Sequence, residues 1–407
     1  MSDKPKPPVG GAAFRSNKDT QSPQNDGMLD FVPMTGPVDD DESATQFFTI
    51  SPPKQNTTPE HNASLDPNAG NMGQFGGAAT NSGGFSNPPY GGNPGMNSGN
   101  FGQNNGSISV FNKDEKIQEL LNVGDVLQSI QVHDNHLYAI INGNSEIKRY
   151  AISEDGLVLP GITISTNNSS PREMCVLNNK LYFSNWNSKD IKVLNLNTFA
   201  IEQSIPLNGL PEDITTDGTN LYASVPHLEL YDQGNGTTVV KIDPLTNQII
   251  KTYEVGKGPQ HLIIHNDNLF ISRTYYSENW YQTFFGTAQV NLTTDEVITI
   301  EHGEGIVCGG NVMIYQEQVY RTSLGGIVPI DQNDLSLNIS ARIGNYVSKD
   351  SYYNANLYSS HSIDDQIFFG ITNDYVAPDS VYVLDGGIEK LFEVGAAPGD
   401  YATWEIN

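Results

Sequence analysis

Seven polar residues recur along the chain at intervals typical of a structural repeat. They are Ser129, Glu173, Asp213, His261, Asn311, Ser359 and Asp400. Successive members lie 44, 40, 48, 50, 48 and 41 residues apart. Three carboxylates and an imidazole that converge on one axis can bind a cation such as calcium, or a polyhydroxylated ligand. They can equally well line a hydrated polar channel, and the residues alone leave both interpretations open.

The positions on either side of this polar set have their own character. The preceding residues are expected at the rim of the same site: Gln128, Arg172, Glu212, Gln260 and Tyr358. The following residues are mostly apolar: Ile130, Met174, Ile214, Leu262 and Val312. Because side chains alternate between the two faces of a strand, the polar set should face the axis and the apolar set should pack between blades. Arg172 and Glu212 are therefore added to the candidate ligand-binding residues.

These positions belong to a repeat that is typical of four short strands. Clear copies are SPREMCVLNNKLYFS (170–184) and LPEDITTDGTNLYAS (210–224). The strands predicted in the first of these are Glu173–Leu177, Lys180–Asn185, Ile191–Leu196 and Ala200–Pro206. Short strands repeated every 40 to 50 residues are characteristic of a β-propeller. The sequence therefore predicts an all-β, seven-bladed β-propeller over residues 97–407.

The two ends of this region predict how the ring closes. The last copy has a first strand only, Asp400–Asn407. The N-terminal end of the region offers candidates for the other three strands, at 98–102, 107–112 and 116–123. An N-terminal segment that completes the last blade would remove exposed strand edges.

Aromatic residues are concentrated in the predicted loops between second and third strands, which should open beside the polar site. They include Trp186, Tyr231, Tyr275, Tyr276, Trp280 and Tyr281, the last four within a long loop predicted at Thr274–Gly286. Exposed aromatic side chains are unfavourable in water, so they pack on the domain or meet a partner. We expect these six to contact a ligand or protein.

Residues 1–96 have a different composition, dominated by Gly, Asn, Pro and Ser. Such a segment cannot bury enough apolar surface to offset its ordering entropy, so a disordered tail is predicted. Two short apolar stretches, 28–34 and 46–50, interrupt it. They are either incidental or a docking peptide for a larger assembly.

Composition excludes several classes of protein. The net charge is −26, from 21 basic and 47 acidic residues, which disfavours binding to nucleic acid. No apolar run could span a bilayer, and no hydrophobic stretch follows the basic start MSDKPKPPVGG. We therefore expect neither a signal peptide nor a lipid-anchor cysteine. With two cysteines, no disulfide framework is indicated.

Three stretches carry a resemblance to a known family: NSGNFGQNNGSISVFN (97–112), GDVLQSIQVHDNHLYAIINGNSEI (124–147) and SPREMCVLNNKLYFSNWNSKDIKVLNL (170–196). They resemble the YncE-like, surface-layer-type propellers, above all an uncharacterised group of bacterial surface lipoproteins. The resemblance covers residues 97–407 and implies a binding or scaffold role at a cell surface. Some surface relatives capture corrinoids beside an outer-membrane transporter. The chain departs from the group by lacking the lipoprotein signal, and by Ser98 where the family often has Glu.

Signals for an enzyme are weak. There is no G-x-S-x-G, no H-E-x-x-H and no set of Cys and His with zinc spacing. We therefore predict a non-catalytic propeller, without a cofactor, that binds a small polar ligand or a protein. The alternatives are a hydrolase or lyase that uses the axial carboxylates, and a structural component of a virion or injection particle.

Overall fold

The computed structural model describes residues 45–51, 104, 106–305, 310–346, 357–372 and 377–405. This part of the chain consists of strands, connecting turns and one short 3-10 helix, Ile339–Ala341. None of its helical structure has the length and hydrophobicity needed to cross a bilayer. The predicted all-β class is confirmed.

Most strands form sheets that each come from one continuous stretch of chain. Three N-terminal strands come first: β1 (Thr45–Ser51), β2 (Ser107–Asn112) and β3 (Glu115–Leu120). The first sheet contains β4 (Leu127–His133), β5 (His136–Ile141), β6 (Glu146–Ser153), β7 (Gly156–Leu157) and β8 (Ile162–Ser165). The second contains β9 (Pro171–Leu177), β10 (Lys180–Asn185), β11 (Asp190–Asn195) and β12 (Ala200–Pro206). The third contains β13 (Ile214–Thr216), β14 (Leu221–Val225), β15 (Thr238–Asp243) and β16 (Gln248–Glu254).

Three more such sheets complete the series in the described residues. The fourth contains β17 (Pro259–His265), β18 (Asn268–Tyr276), β19 (Thr283–Asn291) and β20 (Val297–Glu304). The fifth contains β21 (Val312–Tyr315), β22 (Gln318–Ser323) and β23 (Gly326–Pro329). The sixth contains β24 (Leu357–Ile363), β25 (Gln366–Ile371), β26 (Asp379–Asp385) and β27 (Ile388–Val394). The last strand is β28 (Tyr401–Glu405).

The sheets are arranged as the blades of a propeller. Consecutive strands within each sheet pair antiparallel, as a meander, except that β8 of the first sheet pairs with β6. The innermost strands β4, β9, β13, β17, β21 and β24 contact one another in that order, and β28 contacts both β24 and β4. The propeller architecture predicted from the repeat is confirmed.

One further sheet, here called the closing sheet, joins the two ends of the propeller. Its strand order is β28-β1-β2-β3, so β1 lies between the C-terminal strand and β2. Thr45 pairs with Glu405 on one side, and Ser51 pairs with Ser107 on the other. The sequence predicted residues 98–102 for this place, and that segment lies outside the described residues.

The predicted strands at 107–112 and 116–123 agree closely with β2 and β3. The tail prediction differs at Thr45–Ser51, which forms a strand because this short apolar stretch meets two strand edges that need partners. The rest of residues 1–96 is outside the described part of the chain.

Apolar side chains fill the space between neighbouring sheets. In one cluster Leu177, Tyr182 and Val193 of the second sheet pack with Ile214 and Ala223 of the third. Burial decreases outward: β14 is buried throughout, whereas all but one residue of β16 are exposed. Side chains alternate between the two faces of an inner strand. The residues that do not pack between neighbouring sheets are therefore left to face the axis.

In five of the six sheets described above, the turns between first and second strands follow one design. Both turn residues have a positive φ in Asp134-Asn135, Asn178-Asn179, Asn266-Asp267, Gln316-Glu317 and Asp364-Asp365. This is the two-residue type I′ hairpin, which matches the twist of the strands and favours Asn and Asp. It fixes the register that places the polar positions.

The aromatic segment Thr274–Gly286 is mainly strand, contrary to the prediction of a long loop. β18 continues to Tyr276 and β19 begins at Thr283, so residues 277–282 alone connect them. Tyr275 pairs with Phe284 and Thr274 with Phe285 in this extension. The aromatic and β-branched residues that suggested an exposed loop are those that favour a hairpin.

Deleting residues 1–51 should destabilise the propeller, whereas deleting residues 1–43 should not. The longer deletion removes β1 and leaves the edges of β28 and β2 unpaired, while the shorter one keeps every strand of the closing sheet. Thermal unfolding should show a loss of more than about 5 °C for the first and less than about 2 °C for the second. Equal melting temperatures would mean that β1 does not hold the closing sheet together.

Candidate functional site

The inner strands enclose a cavity of about 360 Å³. From the predicted polar set it is lined by Glu173, Asp213, His261, Asn311, Ser359 and Asp400. From the predicted rim positions it is lined by Gln128, Arg172, Glu212, Gln260 and Tyr358. Ser129 is not among the lining residues, and His361 is an addition to them. The rim residues are buried rather than peripheral.

A local irregularity explains why adjacent residues both reach the cavity. Pro171 pairs with Asn185 and Met174 pairs with Phe183, with a register shift between them. Arg172 and Glu173 therefore lie together in a β-bulge, which re-aims side chains at the end of a strand. Equivalent shifts occur at the start of β4, β17 and β24.

Hydroxyl groups on the second strands fasten the polar positions in place. Ser184, Ser224, Ser272 and Thr322 accept the backbone N–H of Glu173, Asp213, His261 and Asn311, at 3.0 to 3.2 Å. Two of these hydroxyls also donate to the next sheet, Ser184 to the carbonyl of Glu212 at 2.5 Å and Ser224 to that of Gln260 at 2.6 Å. These hydroxyls were missed from sequence, although each follows its polar residue by 11 positions.

Two axial carboxylates join neighbouring sheets through backbone amides. Asp213 Oδ1 accepts the N–H of Ile214 at 2.7 Å, and its Oδ2 accepts that of Leu262 in the next sheet at 2.7 Å. Asp400 repeats this with Tyr401 and, across the closure, Ile130, both at 2.8 Å. A carboxylate that uses both oxygens in this way stabilises the ring.

Asn311 makes the corresponding joint between the fifth and sixth sheets with an amide group. Its Oδ1 accepts the N–H of Val312 at 2.8 Å, and its Nδ2 donates to the carbonyl of Ser360 at 3.1 Å. The same position therefore has a structural role in three sheets.

Two histidines face these carboxylates from adjacent sheets. His261 Nδ1 lies 4.0 Å from Asp213 Oδ2, and His361 Nδ1 lies 3.5 Å from Asp400 Oδ1. Burial lowers the pKa of His261 to about 4 and also lowers the pKa of His361, so both rings are neutral at pH 7. His361 follows Ser359 by two residues, and that spacing along a strand places both side chains on one face.

Two carboxyl groups of the cavity, those of Glu173 and Asp213, have raised pKa values. Burial, followed by the charges of Asp400 and Asp213, holds the pKa of Glu173 well above its usual range. Burial also raises the pKa of Asp213 to about 7, against the two backbone N–H groups that lower it. Glu173 hydrogen-bonds to Gln128 Nε2 at 3.3 Å, and it accepts no backbone N–H from a neighbouring sheet in the described contacts.

Arg172 is the basic residue among those that line the cavity, and it is paired. Its Nε and Nη2 bind the two carboxylate oxygens of Glu212 at 3.0 and 2.6 Å, and its Nη1 donates to Gln128 at 2.9 Å. The guanidinium also lies 4.4 Å from the ring of Trp186. Trp186 in turn contacts His227 edge-on. The positive charge of Arg172 is thereby neutralised by Glu212. The electrostatic potential of the cavity then depends on Glu173, Asp213 and Asp400.

The six aromatic residues predicted beside the site do not line the cavity. Tyr275 stacks on Phe284 and donates its hydroxyl to Glu301. Tyr276 is buried against Trp280, which is 42% exposed, while Tyr281 is 84% exposed. Tyr231, also strongly exposed, belongs to the adjacent loop of the third sheet, and that loop is tied to β18 by the hydrogen bond from Tyr276 N to Gln233 O.

Comparison with known proteins defines the fold alone. No family model matches the chain, and no curated protein matches it. It resembles hydrazine synthase of Kuenenia stuttgartiensis at a TM-score of 0.52 and 10% identity, over 73% of this chain and 92% of that one. Apo AztD of Citrobacter koseri matches at a TM-score of 0.48 and 10% identity, over 89% of this chain and 99% of that one.

Replacing Ser224 by Ala should lower the free energy of unfolding by about 1–3 kcal/mol, because the N–H of Asp213 and the carbonyl of Gln260 lose their shared partner. Ser153 is a matched control, since its hydroxyl bonds only within its own turn, to Gly156 O. Ser153→Ala should cost less than about 1 kcal/mol in denaturant titration. If both variants lowered the free energy of unfolding by similar amounts, the Ser224 hydroxyl would not be stabilising the contact between the third and fourth sheets.

Variants of Asp213 should separate the contribution of its two backbone hydrogen bonds to stability from the contribution of its charge. Asp213→Ala deprives two backbone N–H groups of their acceptor, so it should be destabilising at every pH. The folded pKa of about 7 lies above the unfolded value of 3.8, so between these values the folded protein keeps a proton that the unfolded chain has lost. Wild-type stability relative to Asp213→Asn should therefore fall as the pH rises from about 4 to about 7. A pH-independent difference between wild type and Asp213→Asn would contradict the raised pKa.

Proposed function

We propose that the chain is a non-catalytic, seven-bladed binding propeller that holds a small cationic ligand in its inner cavity. The seventh blade is the closing sheet, in which β28 is innermost and β1, β2 and β3 follow outward. The cycle of contacts between innermost strands, in which β28 contacts β24 and β4, supports this count. The kinship with YncE-like propellers belongs to the same proposal and rests on the repeat and strand motifs.

The balance of charge around the cavity is the observation that carries the proposal. The charges of Asp400 and Asp213 act on Glu173, and the charge of Asp400 acts on Asp213, which supports a shared low-dielectric space for the three groups. Arg172 is committed to Glu212, and the histidines are neutral at pH 7. A cation placed among the three carboxyl groups offsets the repulsion that, after burial, raises the pKa values of Glu173 and Asp213.

The size and spacing of the groups favour an organic cation. A volume of about 360 Å³ lies within the range of small-molecule pockets, roughly 300–1,000 Å³. Across the described residues, no three acidic, histidine or cysteine side chains converge tightly enough to hold a metal ion. An ammonium group needs less compact donors, because it gives up to three separate hydrogen bonds. A small amine, with hydroxyl groups that meet Asn311, Ser359 and Gln128, fits this lining.

The roles of the axial carboxylates favour binding over catalysis. A nucleophile or general base needs an oxygen directed at the substrate. Asp213 and Asp400 each direct both oxygens at backbone amides. Glu173 is then the carboxyl group best placed to contact the ligand directly.

The exposed aromatic residues of the third and fourth sheets are proposed as a separate contact for a protein partner. Tyr231, Trp280 and Tyr281 are exposed, and the loop that carries Tyr231 is joined by a backbone hydrogen bond to Tyr276, at the end of β18 beside the loop that carries Trp280 and Tyr281. Rigid aromatic side chains on neighbouring loops provide large contact area at low entropic cost.

Binding of an amine at pH 7 should release protons, because a cation favours the ionised forms of Glu173 and Asp213. Calorimetry with putrescine, choline and calcium, each in two buffers of different ionisation enthalpy, measures both affinity and proton release. Glu173→Gln should weaken binding of putrescine about tenfold, near 1.4 kcal/mol, and reduce the protons released.

Glu317→Gln is the matched control, since Glu317 is an exposed turn residue between β21 and β22. It should bind as wild type does. If none of the three cations binds the wild type, or if Glu173→Gln binds equally well, the proposed ligand class is wrong. Binding of calcium alone would replace the amine by a metal.

A further inference from the structure

A fully buried arginine occupies a position that is apolar in the other sheets. Arg321 in β22 pairs with Val312, the residue after the polar position of its repeat. In other sheets, the second-strand residues that pair with the residue after the polar position are Ala139, Phe183, Ala223, Ile271 and Phe369. All of them are almost completely buried, and Arg321 is 0% exposed. Arg321 therefore brings a positively charged side chain into the apolar layer between the fourth and fifth sheets.

The guanidinium of Arg321 is only partly satisfied. Its Nη2 donates to the carbonyl of Arg273 at 3.1 Å, and its centre lies 5.5 Å from the ring of Phe285. Nε and Nη1 are buried and have no hydrogen-bond partner. Over the described ranges, no Asp or Glu forms an ion pair with it. The charge that acts on Arg321 is that of Arg273, which has the same sign.

Such a group is costly unless something neutralises it. An isolated buried charge is unfavourable by several kcal/mol, and it is tolerated when it is paired and hydrogen-bonded. Burial lowers the pKa of Arg321 to about 9, which leaves the side chain positively charged at neutral pH. Retention of the charge in an apolar layer points to a counter-ion at this place.

A second unsatisfied polar group lies on the same side of β18. Thr274 directly follows Arg273, whose carbonyl binds Arg321, and Thr274 pairs with Phe285 in the hairpin. Paired residues project from the same face of a sheet, so Thr274 shares the face on which Phe285 meets the guanidinium. Thr274 is buried, and its Oγ1 has no hydrogen-bond partner. A hydroxyl donor and two guanidinium N–H donors therefore face this region.

The titratable groups around this region include Arg273, His302 and Glu301. His302 packs on Phe285 and bonds Thr287 Oγ1 at 2.9 Å. Burial, together with the charges of Arg321 and Arg273, lowers the pKa of His302 to about 4. Glu301 is engaged by the hydroxyl of Tyr275. The charge of Glu301 acts on Arg273, whereas Arg321 receives no compensating negative charge from the described residues.

We propose that a small monovalent anion of the chloride type binds between β18 and β22, against Arg321 Nε and Nη1 and Thr274 Oγ1. Chloride is compact and accepts several N–H and O–H donors without directional preference, so it suits a narrow apolar layer. The anion acts as a structural ion that joins the fourth and fifth sheets. It is separate from the cation proposed for the central cavity.

The first test compares thermal unfolding in sodium chloride and sodium gluconate at equal ionic strength. Because an ion that binds the folded state stabilises it by mass action, the melting temperature of the wild type should rise by about 2 °C or more in chloride. Arg321→Met should lose this difference, and Thr274→Val should reduce it. Arg342→Met is the control, since the Arg342 guanidinium bonds Leu324 O and Asn345 at the surface, and it should respond as wild type does.

A second measurement uses the wild type alone, in case Arg321→Met fails to fold. Crystals grown in sodium bromide should give an anomalous peak within hydrogen-bond distance of Arg321 Nε or Nη1. A wild type whose stability is indifferent to chloride, a chloride effect that persists in Arg321→Met, or ordered water without bromide at this place would each overturn the proposal.

Discussion

The innermost strand of each sheet in this propeller is a sheet edge, and its inward backbone groups have no strand partner. Buried N–H and C=O groups must nevertheless be satisfied. Here side chains of the preceding sheet do this, as when Asp213 accepts the N–H of Leu262 and Asp400 accepts that of Ile130. Asn311 does the same for the carbonyl of Ser360. The packing of neighbouring sheets therefore depends on polar side chains at one position of the repeat.

This structural requirement also creates the candidate site. Acceptors that fasten the sheets must point toward the axis, so they gather carboxyl groups in one enclosed space. The repulsion and burial that follow raise the pKa values of Glu173 and Asp213. Residues that are not needed as joints can then serve a ligand. Glu173, His261 and His361 are of this kind. Their side chains line the cavity, and none of their described side-chain contacts is a hydrogen bond to a backbone N–H of a neighbouring sheet.

The repeat made the architecture predictable, and particular residues show why. The repeat period and the Asn and Asp turns depend on local sequence, and β10 and β12 have the bounds that the sequence predicted. The polar set could be found because it recurs at one place in every copy. Residues that act through contacts between copies were harder. Ser184 and Ser224 carry a periodic signal, but their role depends on the distance to the next sheet.

Other elements were not predictable from local sequence. Thr45–Ser51 lies in a segment rich in Gly, Asn, Pro and Ser, and only the free edges of β28 and β2 give it a place in a sheet. The aromatic segment around Tyr275 and Phe284 has the composition of both an exposed loop and a hairpin, and pairing decides between them. Arg321 departs from an apolar column that becomes visible once the strands are aligned by their pairing. In each case the deciding interaction joins residues far apart in sequence.

The most direct test of the cation pocket is the ionisation of Glu173 itself. Carboxyl carbon resonances, assigned by comparison with Glu173→Gln, can be followed through a pH titration with and without saturating putrescine. In the ligand-free protein Glu173 should titrate well above 4.5, and putrescine should move its pKa downward. A Glu173 that titrates in its ordinary range and does not respond to putrescine would contradict the account.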